Sequence, residues 1–238
     1  MSRPRLIVVE DAEAAAAAAV ARVLALLAIK PDAVLGLATG ETMRPVHRGL
    51  VAARRRGAVS FARARSFNLD EYLGLRPGHP GSFAAFMRRT LFDMVDFAPG
   101  ATHLPDGGDP AAYEAAIRAA GGIDLQLLGI GGNGHIGFNE PGSDFASRTR
   151  IVRLAASTRI DNAAAFAPDP VPEQAVTMGI GTILDARAIV LVATGSAKAQ
   201  AVAAALGAEM TRDWPASALR LHPAAVIVAD RAAAAGVR

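Results

Sequence analysis

Apolar residues fall into short runs separated by longer stretches of helical spacing, and that alternation sets the expected fold. Runs of strand length lie at 6–9, 34–38, 64–69, 125–130, 150–154, 188–193 and 225–228. Helical patterns fill the intervals at 11–28, 43–56, 82–94, 109–120, 196–207 and 214–221. Strands that alternate with helices build a mainly parallel sheet with helices on both faces, so the fold class is α/β. Proline and glycine clusters at 76–81 and 105–110 read as loops rather than domain boundaries, and no internal repeat is present. One domain over 1–238 is expected. Its segment 155–174, with Pro168, Pro170 and Pro172, reads as a mobile flap near 150–178, beside a glycine-rich stretch at 129–142.

Composition narrows the function classes. A chain of 238 residues suffices for one sizeable core. The formal charge is only +3, and 23 of the 25 basic residues are arginines, with no basic run longer than Arg54-Arg55-Arg56. That is no footprint for nucleic acid. The absence of cysteine excludes disulfides, thiol catalysis and thiolate metal sites. The histidines at 47, 79, 103, 135 and 222 lack metal-ligand spacing, so no metal is expected. The alanine-rich stretch from Ala14 to Ile29 follows Glu10, Asp11 and Glu13 and contains Arg22. It reads as an amphipathic first helix with acids at its dipole-favoured end, not as a membrane span or signal peptide. A cytoplasmic enzyme is the default expectation.

Residues 129–134 match G-x-G-x-x-G letter for letter, the fingerprint of dinucleotide binding. Such a site needs the glycines to open a long helix and an acid about 20 positions on. Here Pro141 and Gly142 cut the helix short, and Arg150–Ala155 contains no acid. No organic cofactor is expected. What the stretch does present is Asn133, His135 and Glu140 within eight positions. A lone histidine is more often a satisfied core residue; four preceding glycines and a nearby glutamate favour proton transfer instead.

Ligands of an open parallel sheet bind at the carboxyl ends of its strands. Leu35-Gly36-Leu37-Ala38-Thr39-Gly40-Glu41-Thr42 is a strand turning into a helix, whose first N–H groups suit a phosphate. An ordinary cap by Thr39 or Thr42 is the plain alternative. In Ser66-Phe67-Asn68-Leu69-Asp70-Glu71-Tyr72, alternation puts Phe67 and Leu69 on one face and Asn68 and Asp70 on the other. Asp70 then emerges where a substrate would lie, although taken alone it equally fits a solvated acid or a helix cap. Lys198 begins a helix after an apolar strand in a chain with only two lysines, and an anion contact competes there with a surface position.

Together these segments resemble the glucosamine-6-phosphate deaminase (glucosamine-6-phosphate isomerase) family, in its shorter form. The resemblance runs through Leu-Gly-Leu-Ala-Thr-Gly at 35–40, Phe-Asn-Leu-Asp-Glu-Tyr at 67–72 and His-Pro-Gly-Ser at 79–82. It continues in Gly-His-Ile-Gly-Phe-Asn-Glu-Pro-Gly at 134–142, Ala-Ser-Arg-Thr-Arg at 146–150, 175–184 and Leu-His-Pro at 221–223. It implies a Rossmann-like three-layer α/β/α sandwich. It also implies conversion of D-glucosamine 6-phosphate and water to D-fructose 6-phosphate and ammonia, in amino-sugar catabolism and without a cofactor. On that resemblance His135 opens the pyranose ring, oriented by Glu140 and Asn133, and Asp70 moves a proton between C2 and C1. Thr39, Gly40, Thr42 and Lys198 match positions that hold the 6-phosphate.

Three positions depart from the family pattern. Asn133 stands where larger members often carry Asp. Ala164 stands where Asn-x-Arg-Phe-Phe would supply a phosphate-binding arginine, and Arg44 is the nearest replacement. Glu41 replaces the second glycine of the usual Thr-Gly-Gly-Thr turn. Larger relatives are activated by N-acetylglucosamine 6-phosphate through a basic pair and a C-terminal tail. Here Arg150 is kept but the second position is Val152, so no such activation is expected. The alternatives are a deaminase for another amino-sugar phosphate such as the galactosamine isomer, a 6-phosphogluconolactonase-like hydrolase, and a non-catalytic sugar-phosphate sensor. The partner expected is a small sugar phosphate, with neither nucleic acid nor membrane. Monomer and homo-oligomer both remain open.

Overall fold

The computed structural model describes residues 3–207 and 209–237; residues 1, 2, 208 and 238 of the expected domain span lie outside them. Seven strands form one sheet in the order β1 (Arg5–Val9), β10 (Ala225–Asp230), β9 (Ile189–Ala193), β6 (Leu125–Leu128), β2 (Val34–Leu37), β3 (Arg65–Asn68) and β5 (Thr102–His103). Every pairing in it is parallel. The inner strands β2, β6 and β9 are buried along their whole length, as their mainly apolar runs suit in a sheet covered on both faces, with Gln126 the one polar side chain among them. The helices are α1 (Ala12–Ile29), α2 (Met43–Arg55), α3 (Phe83–Thr90), α4 (Pro110–Ala119), α5 (Ala156–Asn162), α6 (Ile180–Leu184), α7 (Ala199–Leu206) and α8 (Arg231–Ala234). The α/β class with a mainly parallel sheet is as the alternation predicts.

Local chemistry sets the helix starts. Asp11, Ser82, Asp109 and Asp230 each accept a first-turn N–H in their side chains, at α1, α3, α4 and α8. Helix α1 corrects one expectation. By length and composition alone its 18 residues, of mean hydropathy 1.9, would suffice to cross a membrane. Alanines surround it on all sides, so it is not sharply amphipathic. Its buried stripe of Ala15, Ala16, Ala19, Val20, Val23 and Leu27 instead packs against β10, β9 and α2.

Residues 150–154 do not join the parallel sheet. Arg150–Arg153 is β7, which pairs antiparallel with β8 (Gln174–Thr177), and β8 pairs with β4 (Asp70–Tyr72). Burial along it alternates, with Arg150 and Val152 half-buried and Ile151 and Arg153 exposed, so the strand is covered on one face only. Strands of three or four residues such as β4 and β8, and the five-residue α6, are too short for periodicity to reveal. The small sheet has its own cluster of Tyr72, Phe138, Leu154, Phe166 and Ala175.

The chain crosses between the sheets at Leu69. Its N–H donates to Leu37 O at 3.0 Å in the large sheet, and its carbonyl accepts Met178 N–H at 2.7 Å beside the small one. The alternation of β3 therefore ends at Asn68, and Asp70 begins a new strand. Asn68 is fully buried, whereas Asp70 turns into the space between the sheets.

Candidate active site

A cavity of about 590 Å³ opens at the carboxyl ends of β2, β6 and β9. Strand order reverses between β2 and β6, and ligands of such sheets bind at that crevice. Thr39, Gly40, Thr42, Asp70, His135 and Lys198 all line it. Asn133 and Glu140 do not; they stand behind His135. Thr158, Asn162 and Thr194 also line the cavity; Asn162 is the asparagine of the segment matched to Asn-x-Arg-Phe-Phe, and none of the three was singled out as a site residue. Thr194 follows the β9 run directly, so the strand-end rule would have found it. Thr158 and Asn162 lie on α5, whose approach to the cavity no local pattern announces.

The glycine-rich loop after β6 builds an imidazole–carboxylate pair. His135 Nδ1 lies 3.6 Å from Glu140 Oε2, and the same oxygen accepts Asn133 Nδ2–H at 2.8 Å. Thr158 Oγ1 donates to Glu140 Oε1. Burial pushes the Glu140 carboxyl up, but the His135 imidazole, the Thr158 hydroxyl and the Asn133 amide outweigh it and bring it down to about 2. Asn133 does not touch the imidazole, as the sequence suggested it might orient it. Its side-chain oxygen accepts the His135 backbone N–H at 3.2 Å, and its amide fixes the carboxylate. An acid at this position would instead set two carboxylates together.

The glycines here make room rather than cradle a dinucleotide. A Cβ on Gly131 would lie 2.3 Å from His135 Nδ1 and Cε1, closer than any real contact. Nearby, a Cβ on Gly137 would come within 3.2 Å of Asp70 Oδ2, so the loop and Asp70 share one wall. Two contacts brace the loop from the chain's C-terminal third: Gly142 N–H donates to Arg212 O at 2.8 Å and Ala216 N–H to Gly134 O at 2.9 Å. Arg150 donates to Asn139 Oδ1 at 2.9 Å on the same loop.

Asp70 is buried, and burial together with the adjacent Glu71 carboxylate pushes its carboxyl up to about 8. Glu71 is fastened at the start of α3, where its oxygens accept the N–H groups of Tyr72, Phe83 and Ala84 at 2.8, 2.9 and 2.7 Å. The two neighbouring acids thus separate: one caps a helix, the other faces the cavity.

At the opposite side, Gly40 takes φ +101° and turns β2 into α2. Thr42, the cap residue of α2, makes no side-chain cap bond, while the first-turn N–H groups of Met43 and Arg44 donate to Gly40 O and Glu41 O at 3.0 and 3.2 Å and Pro45 has none. Lys198 enters from the turn Ser196–Lys198, and Asp230 holds that turn by accepting Gly195 N–H at 2.9 Å. The Glu41 side chain is 83% exposed and paired with Arg44 at 2.7 Å, and Glu41 lies on the cavity wall between Gly40 and Thr42. Arg44 also lies over the Phe86 ring, and its partner Glu41 rather than Arg44 itself is on the cavity wall. Ala164 is exposed on the turn Ala163–Ala165 and does not line the cavity.

Comparison with known proteins places the chain in a family and matches its fold. A family model described as glucosamine-6-phosphate isomerases/6-phosphogluconolactonase matches residues 9–228. The glucosamine-6-phosphate deaminase of Hahella chejuensis is 50% identical over 236 residues, covering 97% of this chain and 90% of that protein. A solved structure of a monomeric glucosamine-6-phosphate deaminase superposes with a TM-score of 0.93 at 40% identity, covering 98% of this chain and 99% of the other. The 6-phosphogluconolactonase of Leishmania guyanensis shares the fold, with a TM-score of 0.75 at 20% identity over 99% of each chain.

Proposed function

This chain belongs to the family of glucosamine-6-phosphate isomerases and 6-phosphogluconolactonases, and from that premise we propose that it deaminates D-glucosamine 6-phosphate to D-fructose 6-phosphate and ammonia. One observation carries the proposal: a single cavity holds a carboxyl pushed up to about 8 and an imidazole backed by a carboxylate brought down to about 2. A buried carboxyl and a carboxylate-backed imidazole on one cavity wall suit successive proton transfers. Lactone hydrolysis has no use for Asp70, and a sensor has no use for either group.

With Nδ1 3.6 Å from Glu140, Nε2 is the ring nitrogen left to act as a base toward the sugar. His135 takes the O1 hydroxyl proton and delivers it to O5 as the ring C1–O5 bond breaks, leaving an open-chain aldehyde and a free O5 hydroxyl. Asp70 removes the C2 proton, and O1 gains the proton that the substrate's 2-ammonium gives up, giving an enolamine. Asp70 then returns its proton to C1, and the resulting C2 imine is hydrolysed, with ammonia leaving. The substrate's 2-ammonium next to Asp70 favours the carboxylate form needed for the first transfer. Thr39, Gly40, Thr42 and Lys198 hold the 6-phosphate through N–H groups, hydroxyls and one ammonium. A monomer in the cytoplasm, where phosphorylated sugars are found, completes the proposal.

The direct test is to incubate the protein with glucosamine 6-phosphate and measure ammonia and fructose 6-phosphate. Galactosamine 6-phosphate, unphosphorylated glucosamine and 6-phosphogluconolactone serve as comparison substrates. Ammonia from none of the amino sugars, with hydrolysis of the lactone, would overturn it. Lys198→Ala should raise KM for glucosamine 6-phosphate about 10- to 100-fold, the loss of one charge-assisted contact, and leave KM for glucosamine unchanged. Equal changes on both sugars would remove Lys198 from the phosphate site.

Gly131→Ala should lower kcat roughly 100-fold by displacing the His135 ring, the scale of a misplacement of about 1 Å. Its melting temperature should stay close to that of the parent, because the added methyl can be relieved by moving one side chain. Full activity in this variant would mean the imidazole need not sit where it does.

A further inference from the structure

We propose that Thr158 is a positioning residue whose hydroxyl, donated to Glu140, sets α5 and the His135–Glu140 pair in place through one contact. For its effect on turnover the proposal rests on the deaminase reading; for the contact itself it does not. The carboxylate has two oxygens with different neighbours. Oε2 faces His135 and accepts from Asn133, both on the loop that carries Glu140 itself. Oε1 accepts from Thr158, eighteen residues away. Among the described hydrogen bonds to this carboxylate, that is the one reaching outside the loop. It fixes the rotation of the carboxylate plane, hence the oxygen that His135 Nδ1 faces at 3.6 Å.

The helix depends on the contact as much as the carboxylate does. Seven residues are far below the length at which a helix persists in water without packing. Along α5, Thr158 is buried whereas Ile160 is 74% exposed, so the helix is anchored along one side. Asn162, one turn on, donates its side-chain N–H to Thr158 O at 2.9 Å and also lines the cavity. Beyond the helix, Phe166 packs against Tyr72, and Asp169 accepts from His79 at 3.0 Å. Those contacts hold the far end of the segment. The cavity end is held through Thr158, and an ionised acceptor makes that hydrogen bond a strong one.

Thr158→Val keeps the shape and removes the hydroxyl; Thr158→Ser keeps the hydroxyl. Amide hydrogen exchange of 156–163 in the ligand-free protein reads the contact directly. Exchange should rise about 5- to 10-fold in Thr158→Val, equivalent to one lost hydrogen bond. It should rise similarly in Glu140→Ala and no further in the double variant, and stay at the parent value in Thr158→Ser. On glucosamine 6-phosphate, Thr158→Val should lose about 5- to 10-fold in kcat with KM within about twofold, and Thr158→Ser should recover it. Unchanged exchange in Thr158→Val, or additive effects with Glu140→Ala, would overturn the contact. Altered exchange with unchanged kcat would overturn its positioning role. If the parent protein gave no ammonia, the deaminase reading would fall and exchange would still decide the contact.

Discussion

Asp70→Asn is expected to abolish measurable deamination while making the protein harder to unfold. The activity loss follows from chemistry. One group is asked both to remove the C2 proton and to return it at C1, and an amide can do neither. A positioned acid–base group is worth about 10²–10⁴ in rate, and with two transfers resting on it the upper end is expected. The stability gain follows from linkage. The Asp70 carboxyl is raised from 3.8 to about 8 in the folded protein by burial and by Glu71. Between those values the folded chain holds a proton that the unfolded chain has lost, so this group's stabilising contribution falls as pH rises from about 4 to about 8. The full shift corresponds to roughly 6 kcal/mol; because the cavity admits water, about 2–3 kcal/mol is the expected cost above pH 8.

Asparagine carries no charge to bury and escapes that cost. The gap in melting temperature between Asp70→Asn and the parent should therefore widen from pH 4 to pH 8 and then level, reaching roughly 4–12 °C. Parent kcat/KM should rise over the upper part of the same range as the free enzyme's Asp70 ionises. A gap that stays constant with pH would show that Asp70 is not held protonated. Residual ammonia production at a tenth of the parent rate would show that another base serves C2.

The fold was legible where packing is local and runs are long. The strands at 34–38, 125–130, 188–193 and 225–228 and the long helices α1 and α2 appear where the alternation places them. Residues 150–154 were assigned to the wrong sheet, because partner choice depends on residues 70–72 and 174–177, themselves too short to register as strands. Asp70 was read as the end of one strand although the chain changes sheets at Leu69, and only the carbonyl and N–H partners of that residue reveal it. Within the site, residues close in sequence were found together and those brought by α5 were not. Thr158 has nothing in its neighbourhood to distinguish it from a surface threonine. The motif Gly129–Gly134 misleads for a physical reason: glycine lets any group approach closely, and here the approaching group is the protein's own His135.

His135→Gln separates the two halves of the proposed chemistry. Glu140, brought down to about 2, stays ionised across the working range, so His135 always faces a charged partner. Glutamine at 135 fills similar space without a base of useful strength, and deamination of the cyclic substrate should fall about 10²–10⁴-fold. The reverse direction supplies a contrast. Fructose 6-phosphate opens to its keto form in solution without help, and with ammonia it gives the C2 imine directly. Exchange of its C1 proton with deuterated water then needs Asp70 and no pyranose opening. In Asp70→Asn both deamination and C1 exchange should vanish. In His135→Gln deamination should fall by the full factor and C1 exchange by less than about tenfold. Equal loss of both in His135→Gln would move the imidazole from ring opening to the carbon proton transfer itself.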